Sequence, residues 1–405
     1  MIRTIAAAVL ALALMGTAAQ PASAALVPLP DNDPFYSVPA DIGGVANGTV
    51  LKSRQVAVNA YSIPLAVKAW QLQYKSLDSH QQPTADVTTI MVPLAPWLGK
   101  GPRPLLSYQT AEDGVGLKCT PSYSLRAGLA AGVTNSSLES ALMATALGRG
   151  WAVVAPDYEG PQSTFLSAGQ SAHGVLDGVR AVLRFGPAGF PATTAIGMIG
   201  YSGGAYATSV AAQLQPSYAP ELKFAGIALG GVVGDIRSTL DAFNATPLAG
   251  AAIIGVIGLN RGYPEANLSS VLNAAGRQAM AVSAQDCIAD AITRHLGKKI
   301  TDFEATPNAI DLPWVEKLMR DNSPLGVVGT PSAPVYDYHA IPDELAPIGP
   351  DRELVARYCA AGAKVQHVED LIAEHISETV TGAPGAMQYL ADRFAGRPAP
   401  NTCGS

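Results

Sequence analysis

The chain has 405 residues, 48% of them hydrophobic and 14% charged, with a formal net charge of −6. That length accommodates a large α/β domain with an insertion or two domains, and the acidic balance without a Lys/Arg stripe excludes a nucleic-acid binder. The densest basic pair, Lys298-Lys299, reads as a solvated helix end.

Residues 1–24 read as a secretory signal peptide. Arg3 supplies the positive start, Ile5 to Met15 is apolar, and Ala22-Ser23-Ala24 offers a small-x-small cleavage site. The mature protein is expected to begin at Ala25, to be secreted and to carry no transmembrane segment, since the later apolar stretch Leu248 to Leu259 is too short to span. From Leu26 to about Val50 a Pro-, Gly- and Asp-rich arm is expected to run extended over a surface. Strands are expected at Gln55 to Val58, Val67 to Tyr74 and Val87 to Val92. Alternation in Ala69-Trp70-Gln71-Leu72-Gln73-Tyr74 predicts antiparallel pairing with one wet face.

After Pro104 the pattern changes to apolar strands separated by helices. Leu105 to Tyr108, Ala152 to Ala155, Ile196 to Gly200, Phe224 to Leu229, Pro334 to Tyr338 and Val365 to Val368 are the strands. Ala172 to Arg184 and Ala205 to Leu214 are among the helices. This order predicts a mostly parallel sheet with helices on both faces. Residues 235–322 break the alternation with helical periodicity alone, too long a stretch for a simple connection. The expected division is therefore a core in two parts, 25–234 and 323–405, with a helical cap (lid) insertion, 235–322, over the carboxyl ends of the strands.

The chemistry centres on Gly200-Tyr201-Ser202-Gly203-Gly204, a G-x-S-x-G pentapeptide between an apolar strand and a helix. Its glycines permit a sharp turn that lifts a serine hydroxyl out of the fold, and the helix N-terminus offers free N–H groups to developing negative charge. A serine nucleophile needs an imidazole base and a carboxylate to orient it, in the chain order Ser, acid, His. Four of the six histidines follow Ser202. His295 lies in the helical interval, His339 at a strand end and His367 inside a strand. His375 follows the last strand, where catalytic loops of open α/β sheets lie. Asp343, in the loop after the preceding strand, is the acid, with Glu344 and then Asp235 as rivals. Gly203 is expected to give one oxyanion N–H, and the loop Gln109 to Gly114 a second.

Cys119, Cys287, Cys359 and Cys403 are an even set in an exported chain, so disulfides are expected. Three connectivities are possible; we favour Cys359–Cys403 and Cys119–Cys287. No C-x-x-C pair or Cys/His metal spacing exists, so no metal is expected. Asn47, Asn135, Asn244 and Asn267 lie in glycosylation sequons.

Several of these motifs, taken together, resemble the secretory lipase family of the yeast lipase A type, an α/β-hydrolase family. They are Asp33-Pro34-Phe35-Tyr36, Cys119-Thr120-Pro121-Ser122-Tyr123, Ala155-Pro156-Asp157-Tyr158-Glu159-Gly160-Pro161, Leu176 to Ala181, the Ser202 pentapeptide, and Tyr338-His339 followed by Asp343-Glu344. The resemblance covers nearly the whole mature chain; one departure is Ala340, where the pattern has glycine. It implies an α/β-hydrolase fold with a helical cap, Ser202, Asp343 and His375 as triad, and backbone N–H groups of Gly203 and Asp113 as oxyanion donors. It implies the same two disulfides, and structural places for Asp157 and Glu159. The resulting expectation is a secreted, cofactor-free serine lipase or esterase acting on lipid or other ester small molecules, with transient contact to a lipid interface. Acyl transfer by the same triad, or non-catalytic lipid binding on the same scaffold, are the alternatives.

Overall fold

The computed structural model describes residues 27–132, 134–244 and 246–404; the expected signal peptide lies outside them. The strands in chain order are β1 (Val50–Val56), the two-residue pair β2 (Asn59–Ala60) and β3 (Ile63–Pro64), β4 (Val67–Leu77), β5 (Pro83–Pro93), β6 (Leu105–Gln109), β7 (Ala152–Pro156), β8 (Ile196–Tyr201), β9 (Phe224–Gly230), β10 (Val335–Ala340) and β11 (Val365–Asp370). All but β2 and β3 join one nine-stranded sheet, ordered β1-β4-β5-β7-β6-β8-β9-β10-β11. From β7 to β11 neighbouring strands run parallel; β1, β4 and β5 add antiparallel strands at one edge. This is the α/β-hydrolase arrangement.

The central strands are continuous apolar runs because helices cover both faces. Alternate residues go to opposite sides: Ala152 and Val154 of β7 join one core cluster, Val153 and Ala155 the other. The first cluster packs under α3 (Ala168–Arg184) and α4 (Gly203–Tyr218). The second packs under α1 (Pro121–Ala127), α2 (Asn135–Gly148) and α12 (Ala383–Phe394).

The face of β4 expected to be wet is covered instead. Gln71 and Gln73 are both fully buried. The Gln71 amide donates to Ser122 O of α1 at 2.7 Å, and that of Gln73 to Ser37 O of the N-terminal arm at 3.0 Å. The arm and α1 thus take up an amide N–H of each side chain, and the polar alternation marks a polar seam rather than a solvent face.

Between β9 and β10 lie α5 (Ile236–Asn244), α6 (Ala252–Gly262), α7 (Ala274–Val282), α8 (Ile288–Arg294) and α9 (Pro313–Asp321), joined by 3-10 turns. Ile253, Ile254 and Ile257 of α6 belong to the same apolar cluster as the sheet, which docks this segment onto the core. Arg261 adds polar clamps, donating to Val115 O and Gln162 O of the core at 2.5 and 2.9 Å. After β10 come α10 (Ile348–Ala360) and, after β11, α11 (His375–Thr381). Disulfides join Cys119 to Cys287 and Cys359 to Cys403. No helix among the described residues is long and apolar enough to cross a membrane.

Candidate active site

Ser202 alone forms the turn between β8 and α4, with φ 53° and ψ −122°. A side chain rarely adopts this conformation, at a cost of about 1–3 kcal/mol. The surroundings impose it: Ser202 N–H donates to Gly230 O and Ser202 O accepts from Tyr206 N–H, both at 2.9 Å. The turn is so tight that a Cβ on Gly204 would sit 2.1 Å from Gln109 O, and one on Gly200 2.2 Å from Gly204 O. Only glycine fits at either position.

His375 opens α11 just past β11, and Asp343 lies in the turn after β10. Their parent strands are parallel neighbours, so the carboxyl ends of the sheet bring both side chains to Ser202. His375 Nε2 lies 2.8 Å from Ser202 Oγ, and His375 Nδ1 lies 2.7 Å from Asp343 Oδ2. Asp343 Oδ1 accepts from the N–H groups of Leu345 and Ala346 at 2.9 and 2.7 Å. Burial opposes ionisation of Asp343, but hydrogen bonds from His339, His375 and Ala346 outweigh it and hold the carboxyl well below its usual range. An ionised Asp343 can only accept, so His375 Nδ1 carries the proton and Nε2 is left to accept from the serine hydroxyl.

The rival residues have other partners. Asp235 Oδ1 accepts from Ser238 N–H at 2.7 Å at the start of α5. Glu344 accepts the backbone N–H of His375 at 3.3 Å. His295 Nε2 meets Ser283 Oγ at 2.8 Å, and His367 Nδ1 meets Asp337 at 2.7 Å.

Gly203 is the first residue of α4, so its N–H has no partner within the helix. Asp113, in the loop after β6 with φ 40°, lies directly against it: a Cβ on Gly203 would meet Asp113 Oδ1 at 2.0 Å. The Asp113 carboxyl is pushed up to about 6 by burial, against the influence of His375 and an Asn135 hydrogen bond.

Three residues that hold this loop carried no signal as site residues. Glu139 of α2 accepts Ala111 N–H at 2.7 Å, and Tyr158 OH accepts Glu112 N–H at 3.2 Å while donating to Thr110 O at 2.8 Å. Asn135 Nδ2 donates to Asp113 Oδ2 at 2.8 Å; legible only as a sequon, its amide is engaged within the fold. The neighbouring Asp157 is buried and binds Ser122 N–H at 3.0 Å. Glu159 is also buried, and its carboxyl is pushed well up by desolvation and by Asp113.

Residues 125–402 match the model of the family described as secretory lipase. A probable inactive lipase of Mycobacterium tuberculosis is 38% identical over 378 residues, covering 91% of this chain and 83% of the relative. Lipase 4 of Candida albicans is 36% identical over 392 residues, covering 92% and 83%. The crystal structure of Candida antarctica lipase A in its closed state superposes with a TM-score of 0.87 at 31% identity, covering 94% of this chain and 90% of that one. The chain belongs to the secretory lipase family.

Proposed function

We propose that this chain is a secreted serine lipase/esterase that cleaves carboxylic esters of acylglycerols or similar lipids through Ser202, His375 and Asp343. Family membership makes it a carboxylic-ester hydrolase. The observation that carries the finer reading is the unbroken row Ser202 Oγ, His375 Nε2, His375 Nδ1, Asp343 Oδ2, with contacts of 2.8 and 2.7 Å.

In this reading Ser202 Oγ attacks the ester carbonyl as His375 takes its proton, and Asp343 stabilises the imidazolium. The N–H groups of Gly203 and Asp113 bind the tetrahedral oxyanion. His375 then protonates the departing alcohol, and a water activated by the same imidazole releases the fatty acid. The proton taken from Ser202 leaves on the alcohol, and the one taken from water returns to Ser202 Oγ.

Two features favour a lipid substrate. Among the helices between β9 and β10 is a cavity of about 70 Å³ lined by apolar side chains including Leu166, Ile253, Val256, Leu259 and Phe303, with none of Ser202, Asp343 or His375 in its wall. An acyl chain there gains about 0.8 kcal/mol per buried methylene. Beside His375, Leu371, Ile372, Ile376 and Val380 are 76%, 90%, 64% and 67% exposed. Four large apolar side chains within ten residues suit contact with a lipid phase. Asp370 precedes them and Glu374 lies between them, which favours a neutral surface over an anionic one.

The test is hydrolysis of p-nitrophenyl esters from short to long acyl chain by wild type and Ser202→Ala. Loss of about 10⁴-fold or more in kcat on Ser202→Ala, with long esters cleaved by wild type, is the expected result. Equal activity of the two proteins contradicts the nucleophile. A folded wild type inert to the whole series favours a non-catalytic role, as in the name of the mycobacterial relative.

A further inference from the structure

Behind Asp343, away from Ser202, the buried row of titratable side chains continues. β10 directs Asp337 and His339 to one side, two residues apart on the strand. The first turn of α10 brings in Asp351, and the parallel partner β11 sets His367 opposite Asp337 in register. His339 Nε2 lies 2.7 Å from Ala346 O and 3.4 Å from Asp343 Oδ2, and its Nδ1 lies 3.4 Å from Asp351 Oδ2. His367 Nδ1 is 2.7 Å from Asp337 Oδ1, and its Nε2 is 3.1 Å from Glu369 Oε1. Glu369 is in turn held by Arg352 at 2.7 Å.

The donor and acceptor inventory fixes one proton of His339, and the facing carboxylate favours the second. A carbonyl can only accept, so Nε2 carries a proton. Nδ1 faces a carboxylate, so it favours a proton as well. Asp351 is fully buried and neither of its oxygens has a hydrogen-bond partner among the described residues. A carboxylate in that position needs a neighbouring cation to remain charged. His339 is fully buried too, so each charge accounts for the other.

We propose that His339 is a positioning residue that stays an imidazolium throughout the working pH range and fixes the orientation and negative charge of Asp343 while His375 gains and loses its proton. The electrostatics agree. Burial works against the His339 cation, but its contact with Asp343 and the negative charges of Asp351 and Asp337 push it up to about 11. His367, opposed by burial and favoured by Asp337 and Glu369, is pushed up to about 9. The other charged groups around His339 are Asp337 on its own strand, His367 and Glu369 on β11, Arg352 on α10 and Glu378 on α11. His375 is faced by Asp343, Asp113, Glu344 and Glu374. A fixed cation on the far side of Asp343 opposes a second positive charge on His375 through the shared carboxylate.

This inference rests on the proposed roles of Asp343 and His375, and its test separates the two. In ¹⁵N-histidine-labelled wild type, two rings are expected to show both nitrogens protonated without titrating between pH 5 and 8, and His367→Gln should leave one. That measurement needs no activity, so it holds even if Ser202 proves not to be the nucleophile. In kinetics, His339→Gln should lower kcat about tenfold with KM unchanged and move the acid limb of kcat/KM up by about one pH unit. A neutral His339 ring, or a folded His339→Gln with the wild-type limb, overturns the proposal. The donor atoms of Asp337, Asp351 and His367 lie within 4.8 Å of one another. Zn²⁺, Mn²⁺ or Ca²⁺ that strips the proton from His367 and changes kcat would therefore also overturn it, in favour of a metal site.

Discussion

In the proposed mechanism Asp113 would meet two conflicting requirements: a backbone N–H offered to the oxyanion, and a buried carboxyl packed against Gly203. Its carboxyl is pushed up to about 6 by burial, so near neutrality a negative charge sits close to where another must form. If the N–H is the working group, Asp113→Asn should keep kcat within about threefold, because asparagine tolerates positive φ and retains the donor. Steady-state hydrolysis of a short p-nitrophenyl ester checks this, and a hundredfold loss would mean that the carboxyl itself acts. At this scale the sequence was informative where chemistry and chain order coincide. Ser202 is marked by its glycines, and Asp343 and His375 by their places after apolar strands. The groups that support Asp113 were not legible. Glu139 and Tyr158 reach the loop from 28 and 46 residues away along the chain, and nothing local in a helix or a turn announces such a contact.

The loop after β6 is also the seam between the core and the helices that follow β9. Asp113 O accepts Ile288 N–H at 2.8 Å, Gly114 pairs with Cys287 as an isolated antiparallel bridge, and Val115 N–H donates to Asp286 O at 2.9 Å. The Cys119–Cys287 disulfide closes this seam across 168 residues of chain. Replacing both cysteines by alanine should lower stability by about 2–4 kcal/mol, since a long loop is released in the unfolded chain. It should also lower kcat more than it raises KM, because the loop that carries the Asp113 N–H loses its brace. Urea unfolding and ester kinetics on the double variant measure both effects; unchanged kcat would place the brace outside the reaction. On the lipid side, Ile372→Ser with Ile376→Ser should reduce activity on a neutral glyceride emulsion about tenfold and leave soluble short esters unaffected. Equal activity on the emulsion would remove that patch from the account. Most strands were legible as elements because buried parallel strands are uninterrupted apolar runs. β2 and β3, at two residues each, are too short to leave a pattern, and the polar seam at Gln71 and Gln73 read as wet because alternation cannot distinguish water from a covering arm.

The whole molecule carries an unusual load of buried titratable groups, and they bias its stability toward acid. Burial pushes Glu139 up to about 8 and Glu378 up to about 7, each against hydrogen bonds that favour ionisation. His339 and His367 are raised to about 11 and 9. All four have folded values above their unfolded ones, so each contributes stability that is fully present below its unfolded value and is lost as pH rises through its folded value. Asp343 acts in the opposite sense, losing its contribution as pH falls below the ordinary carboxylate range. The melting temperature should therefore be higher at pH 5 than at pH 9, by about 5 °C or more; a flat profile across this range would mean that these groups are solvated. The central claim, that Ser202 is the acylated nucleophile, is most directly tested by labelling with a long-chain alkyl p-nitrophenyl phosphonate followed by peptide mass spectrometry. The account predicts one phosphonyl group per chain, on Ser202, with activity lost in proportion to labelling. A label on another residue, or an active protein that takes up none, would contradict it.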